Sequence, residues 1–168
     1  MPNRRVLERA ARDKREGKAP TTQAGEFIRE EIHHIREGKH GARSPQQAIA
    51  IGLSKARRAG VDLKPPGEGQ SASTRRKAAR DYARGHGAPP RRRPTGRRRA
   101  ATSRALQRES HSSASPRALA AQAHSAASHR SGTSRSTSAR KAARTKGPTR
   151  RALAARKATR TRAANAAR

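Results

Sequence analysis

Leu106, Leu119 and Leu153 are the only large aliphatic residues between positions 67 and 168. Three isolated leucines do not line a core, because a packed interior needs contiguous apolar contacts from several elements. The same stretch carries 27 basic and 3 acidic residues. Low hydrophobicity with high net charge leaves too little burial to offset the entropy of ordering the chain. Residues 74–168 are therefore expected to form a long, largely disordered Arg/Ala/Ser-rich tail. Transient helices are expected in SPRALAAQAHSAASHR (115–130) and PTRRALAARKATRTRAANAAR (148–168), where like charges oppose helix formation and phosphate neutralisation would favour it. The element RKAAR at 76–80 and 140–144, echoed as RKATR at 156–160, is a compositional repeat with no face to bury.

Residues 1–66 differ in kind. They hold 15 basic and 8 acidic residues, with Phe27 and nearly all the branched aliphatics. Three helices are expected, giving a mainly α fold: a small N-terminal unit over residues 1–62, then a Pro, Gly and Ser linker, LKPPGEGQSAS (63–73). The first helix, 3–18, takes Asn3 as N-cap and Gly17 as its end. The second, 21–38, takes Thr21 or Thr22 as cap and Gly38 as stop. Ala24, Ile28, Ile32 and Ile35 share one face of it, Phe27 flanks that face, and Glu26, Glu30 and Glu37 fall opposite. The third is SPQQAIAIGLSKARRAG (44–60), with Ser44 as N-cap, Pro45 at the first helical position and Gly60 past the end. Ala48, Ile49, Gly52, Leu53 and Ala56 lie on its packing side, and Ala48–Gly52–Ala56 form a small-residue seam that admits a neighbouring helix closely. Lys55, Arg57 and Arg58 are expected to face outward, and Ile51 lies off the apolar face. Such a unit is weakly stable alone or gains stability from self-association or a ligand.

A formal charge of +31 from 42 basic and 11 acidic residues calls for a polyanionic partner. Nucleic acid fits best, since each neutralised phosphate releases counterions. The candidate phosphate contacts are Arg75, Arg76, Lys77 and Arg80; the RRRPTGRRR run with Arg91, Arg92, Arg93, Arg97, Arg98 and Arg99; Arg140, Lys141 and Arg144; and Arg150, Arg151, Arg156, Lys157 and Arg160. Arg grips phosphate with a planar fork. Single-strand binders stack bases on aromatic rings, and the tail offers only Tyr82, so backbone electrostatics with little sequence readout is expected. Phosphorylation of stretches such as SRSTSAR (134–140) would lower the charge and weaken DNA binding.

Other classes have little support. No cysteine is present, and MPNRRVLERA shows no apolar run of a signal peptide. The longest aliphatic stretch, 48–53, is too short to span a bilayer. A chain of a reducing compartment is expected, cytoplasmic and nucleoid-associated, with no membrane span, no cofactor and no small-molecule substrate. No nucleotide-binding or hydrolase motif occurs. His33, His34, Glu37 and His40 have no recognisable metal-ligand spacing and read as a polar helix surface. The connection 38–43 is longer than that of a helix-turn-helix, so a plain helical hairpin is expected.

GEFIREEIHHIREGKHGARS (25–44) and QAIAIGLSKARRAG (47–60) together resemble a family of small basic bacterial proteins whose shared domain has no assigned function. Its members are often labelled DNA-binding or plasmid stabilisation proteins. The resemblance covers roughly residues 10–65 and brings no catalytic residues. By composition the tail resembles histone H1-like basic tails, although those are often Lys-rich and this one is Arg-rich. The expected function is non-enzymatic binding to the phosphate backbone, DNA favoured over RNA, with self-association through the N-terminal helices. Two alternatives remain open: a protein-interaction module of a plasmid-maintenance or stress-response system, anchored by the tail, and an RNA- or ribosome-associated protein.

Overall fold

The computed structural model describes residues 2–89 and 95–166. Among them are seven α-helices: α1 (Arg4–Arg15), α2 (Pro20–Arg36), α3 (Pro45–Arg58), α4 (Ala72–Gly85), α5 (Gly96–Gln107), α6 (Pro116–Ser128) and α7 (Gly132–Ala166), with one 3-10 turn at Ser112–Ala114. By contacts the chain divides into two compact units, Met1–Gln122 and Ala123–Arg168. The first extends well beyond the N-terminal unit expected to end at residue 62, because α4 packs on α3 and residues 106–115 return to the helical core.

The expectation of a long disordered tail is corrected by four helices, and 75% of the described residues are helical. Two local causes outweigh the charge repulsion. Ala and Arg are among the best helix formers. Each tail helix also begins at a hydroxyl that accepts a backbone N–H: Ser71 from Thr74 (3.2 Å), Thr95 from Arg98 (3.4 Å), Ser115 from Ala118 (3.2 Å) and Ser131 from Ser134 (3.2 Å). Such caps satisfy donors that a helix start otherwise leaves orphaned. Within α7 the backbone breaks at Gly147 (φ 68°, ψ 169°), immediately before Pro148.

In the first unit the expected caps largely locate the helices. Asn3 accepts from Arg5 N at 3.0 Å, and Ser44 accepts from Gln47 N at 3.2 Å. Gly60 adopts φ +85° just past α3, a conformation that costs glycine no Cβ clash. Thr21 and Thr22 do not cap α2. Pro20 occupies its first position after Ala19, which makes no side-chain cap, so both threonines lie inside the first turn.

α2 is the central helix and packs against both α1 and α3. That is why its faces depart from the simple amphipathic reading. Phe27 does not flank the core but is wholly buried in it, with Val6, Ala10, Ala24, Ala56 and Val61, and Leu53 and Leu63 close around them. Glu26 and Glu30 are buried as well. Glu26 bridges Arg9 and Arg29 at 2.5 and 2.7 Å, and Glu30 accepts from Asn3 N at 2.7 Å. Of the expected acidic face, only Glu37 remains exposed. A second cluster joins Ile35, Ala42, Ala48 and Ala114, with Ile32 against it.

The Ala48–Gly52–Ala56 seam is filled by α2. All three residues are buried, and a Cβ added at Gly52 would lie 2.7 Å from Ile28 Cα and 3.0 Å from Ile28 N. Both neighbours are backbone atoms and cannot rotate away. Gly52→Ala gains about 1 kcal/mol of helix propensity, yet overpacking costs roughly 1–3 kcal/mol or more. A net loss of stability is expected, read as a lower urea midpoint, whereas Gly67→Ala, with nothing within 4 Å of its Cβ, should leave the midpoint in place.

Two of the three cations expected to face outward from α3 turn inward. Lys55 is half-buried against α2, and Arg57 is buried, its Nε donating to Leu63 O at 3.0 Å and its NH2 to Lys64 O at 3.5 Å. Burial pulls the Arg57 pKa below its ordinary value, with Asp81 opposing. Arg58 alone stays exposed. Ile51 is half-buried.

Residues 106–115 form a strap over the α2–α3 connection. Gly41 N donates to Leu106 O at 2.8 Å, Ala42 N to Ser110 O at 3.1 Å, and Arg36 Nε to Ala114 O at 2.9 Å. A Cβ at Gly41 would collide with the Glu109 backbone carbonyl.

Candidate nucleic-acid interface

The candidate phosphate contacts lie on three helices. In α4, Ala78 is buried toward α3, and Asp81 accepts from Ser54 Oγ at 2.5 Å. This anchoring leaves Arg76, Lys77 and Arg80 exposed, with Arg75 half-buried. In α5, Arg97, Arg98 and Arg99 are all exposed in the first turn. In α7, Arg140, Lys141, Arg144, Arg150, Arg151, Arg156, Lys157 and Arg160 are exposed, and no residue of that helix is buried. Arg91, Arg92 and Arg93 lie outside the described residues. Successive helical residues are offset by about 100°, so before the break Arg140, Lys141 and Arg144 fall on one side, and after it Arg150, Arg151, Arg156, Lys157 and Arg160 spread around the helix.

The negative charge is distributed differently. No Asp or Glu follows Glu109 in the sequence. In the first unit, acids are matched locally: Glu8 with Arg4, Asp13 and Glu16 with Lys18, Glu37 with Lys39, Glu109 with Arg43, and Asp81 with Arg58. The Lys39 hydrogen bond holds the Glu37 carboxyl below its ordinary pKa. None of the seven α-helices carries an acid in its first turn.

The helix-packing candidates also have definite places. Ile35, Ala48, Gly52 and Ala56 are buried, while Ile28, Ile32, Ile49 and Leu53 are half-buried. All belong to the interior of the first unit or its margins, and so position the basic helix α4.

Tyr82, the one aromatic available for base stacking, is already engaged. Its hydroxyl donates to Asp62 Oδ1 at 2.6 Å, and its ring stacks on His86 with centroids 4.0 Å apart. The Asp62 hydrogen bond raises the Tyr82 pKa above 10.0. The folded protein therefore holds this proton more tightly than the unfolded chain. The associated stability is complete below about pH 10 and is lost as pH rises through the folded value. Because Tyr82 is the only tyrosine, phenolate absorbance reads it directly: a midpoint above 10 is expected, moving down in Asp62→Asn.

A buried polar cluster that the sequence reading missed lies where α2 meets the 37–44 connection. Glu31 is 1% exposed. His40 Nε2 lies 3.2 Å from its Oε1, and Lys55 Nζ 2.5 Å from its Oε2. His34 stands beside them, its ring edge-on to His40 at 6.2 Å. His33 and Glu37, grouped with these histidines in the sequence reading, instead face each other on the surface at 3.6 Å. The missed signal was the Glu31-x-x-His34 spacing, which puts a carboxylate and an imidazole one turn apart on one helix face.

Comparison with models of protein families, with curated proteins and with solved structures finds no match to this chain. Among the described residues no helix is long and apolar enough to cross a membrane.

Proposed function

We propose that this protein is a non-enzymatic nucleic-acid-binding protein, nucleoid-associated, that engages DNA through its phosphate backbone with little sequence preference. The reading rests on the segregation of charge. The first unit pairs most of its carboxylates with its own groups, whereas the second exposes Arg140, Lys141, Arg144, Arg150, Arg151, Arg156, Lys157 and Arg160 with no carboxylate beside them in sequence. An array of that kind gains free energy by displacing counterions from a polyanion. Tyr82 is held by Asp62 and His86, which supports a backbone-reading mode over base stacking. The resemblance of residues 25–44 and 47–60 to small basic bacterial proteins labelled DNA-binding points the same way.

DNA is favoured over RNA because nothing in the basic helices supplies the stacking platforms that single-stranded RNA recognition uses. The Ala48–Gly52–Ala56 seam is occupied by α2, so it does not carry self-association. The experiment is fluorescence anisotropy of the full chain on two duplexes of unrelated sequence and on a structured RNA. Similar affinity for both duplexes, exceeding that for RNA, is expected. A strong preference for one duplex, or tighter RNA binding, overturns this reading.

A further inference from the structure

We propose that Glu31, His34 and His40 form a binding site for a divalent transition-metal ion of the zinc type, tying the end of α2 to the connection that follows it. Each residue offers one donor atom, and these atoms all lie within 4.8 Å of one another. One pair, His40 Nε2 and Glu31 Oε1, is 3.2 Å apart. A tetrahedral Zn²⁺ with bonds of about 2.0–2.1 Å holds its donors roughly 3.3 Å apart, so this pair already has the required separation. Glu31 and His34 reach the site from one helix face, and His40 enters from the connection.

Two features bear on the site. First, His40 Nδ1 lies 3.1 Å from Gly41 O. A carbonyl only accepts, so Nδ1 donates to it, which leaves Nε2 as the ring nitrogen that faces Glu31 and would coordinate an ion. A backbone carbonyl on the far ring nitrogen is the usual support of a metal-bound histidine. Second, Glu31 is almost fully buried, and Lys55 Nζ stands 2.5 Å from its Oε2, which leaves Oε1 as the oxygen facing His40.

Two imidazoles and one carboxylate select Zn²⁺ over Mg²⁺ or Ca²⁺, which favour all-oxygen shells. Three protein ligands leave the fourth position of a tetrahedral ion to water. Lys55 is the chief opponent, since its charge repels a second cation from the same carboxylate.

The test is a Zn²⁺ titration of the full chain against a chromophoric chelator, with Co²⁺ as a spectroscopic probe. One equivalent of Zn²⁺ is expected, with no competition from millimolar Mg²⁺. His34→Ala and His40→Ala should each weaken binding by about 100-fold, and His33→Ala by less than about twofold. Lys55→Met should tighten it, because the competing ammonium is gone. Failure to bind Zn²⁺, loss in His33→Ala equal to that in His40→Ala, or no gain in Lys55→Met overturns the site. Should a histidine variant melt, the unmodified chain decides alone: intense visible Co²⁺ bands of a four-coordinate ion support the site, and the weak bands of a six-coordinate ion overturn it.

Discussion

Raising salt from 50 to 200 mM is expected to lower DNA affinity by about 10⁵-fold, with log Kobs falling against log[salt] at a slope near −9. That slope corresponds to about ten neutralised phosphates, each contributing about −0.9. The exposed cations of α7 alone come close to this number of contacts: Arg140, Lys141, Arg144, Arg150, Arg151, Arg156, Lys157 and Arg160 are all solvent-facing. Replacing Arg150, Arg151, Arg156, Lys157 and Arg160 with Gln keeps good helix formers in place and should reduce the slope by about 4–5. The loss should be the same on unrelated duplexes, because phosphate contacts carry no sequence information. An affinity that stays constant across this salt range would refute phosphate neutralisation as the mechanism.

Phe27→Ala is expected to destabilise the first unit by about 3–5 kcal/mol, the usual cost of deleting a buried aromatic and leaving a cavity. Phe27 is fully buried and is the only phenylalanine of the chain. Its neighbours Val6, Ala10, Ala24, Ala56 and Val61 are small, so they cannot extend into the space. Small domains have a total stability of about 5–15 kcal/mol, and a change of this size should bring the first unit close to unfolding. A lower urea midpoint at unchanged slope is the readout. Leu153→Ala, at a site 60% exposed, should stay within about 0.5 kcal/mol.

Local punctuation in the sequence was legible where a cap and a stop agree. Ser44, Pro45 and Gly60 bracket α3, and Asn3 begins α1. The seam was legible too, because small residues four apart on a helix leave room for a partner, and Ile28 fills it. The same capping signature at Ser71, Thr95, Ser115 and Ser131 was present in the tail. There, charge and low hydrophobicity predict a disordered tail with only transient helices at 115–130 and 148–168, whereas α4, α5, α6 and α7 are formed. The contacts of α2 on its second side were not legible. A periodicity shows that a helix has an apolar face, but it does not show that charged residues beside it will be buried by another helix. Glu26 and Glu30 are covered by α1, and Arg57 folds back onto Leu63 and Lys64. The Glu31, His34 and His40 cluster is hidden for the same reason, since His40 reaches it through a turn whose path no local pattern specifies.

The strap has a consequence for the order in which the protein can mature. Ile35, Ala42 and Ala48 meet early in the chain, but Ala114 closes their cluster. During synthesis at about 5–20 residues per second, Ala114 follows Ala48 by roughly 3–13 s. For that interval the nascent chain holds α2 and α3 with one end uncapped, its apolar patch open to whatever stands at the ribosomal exit. The first unit finishes folding only after its own basic helices α4 and α5 have already emerged.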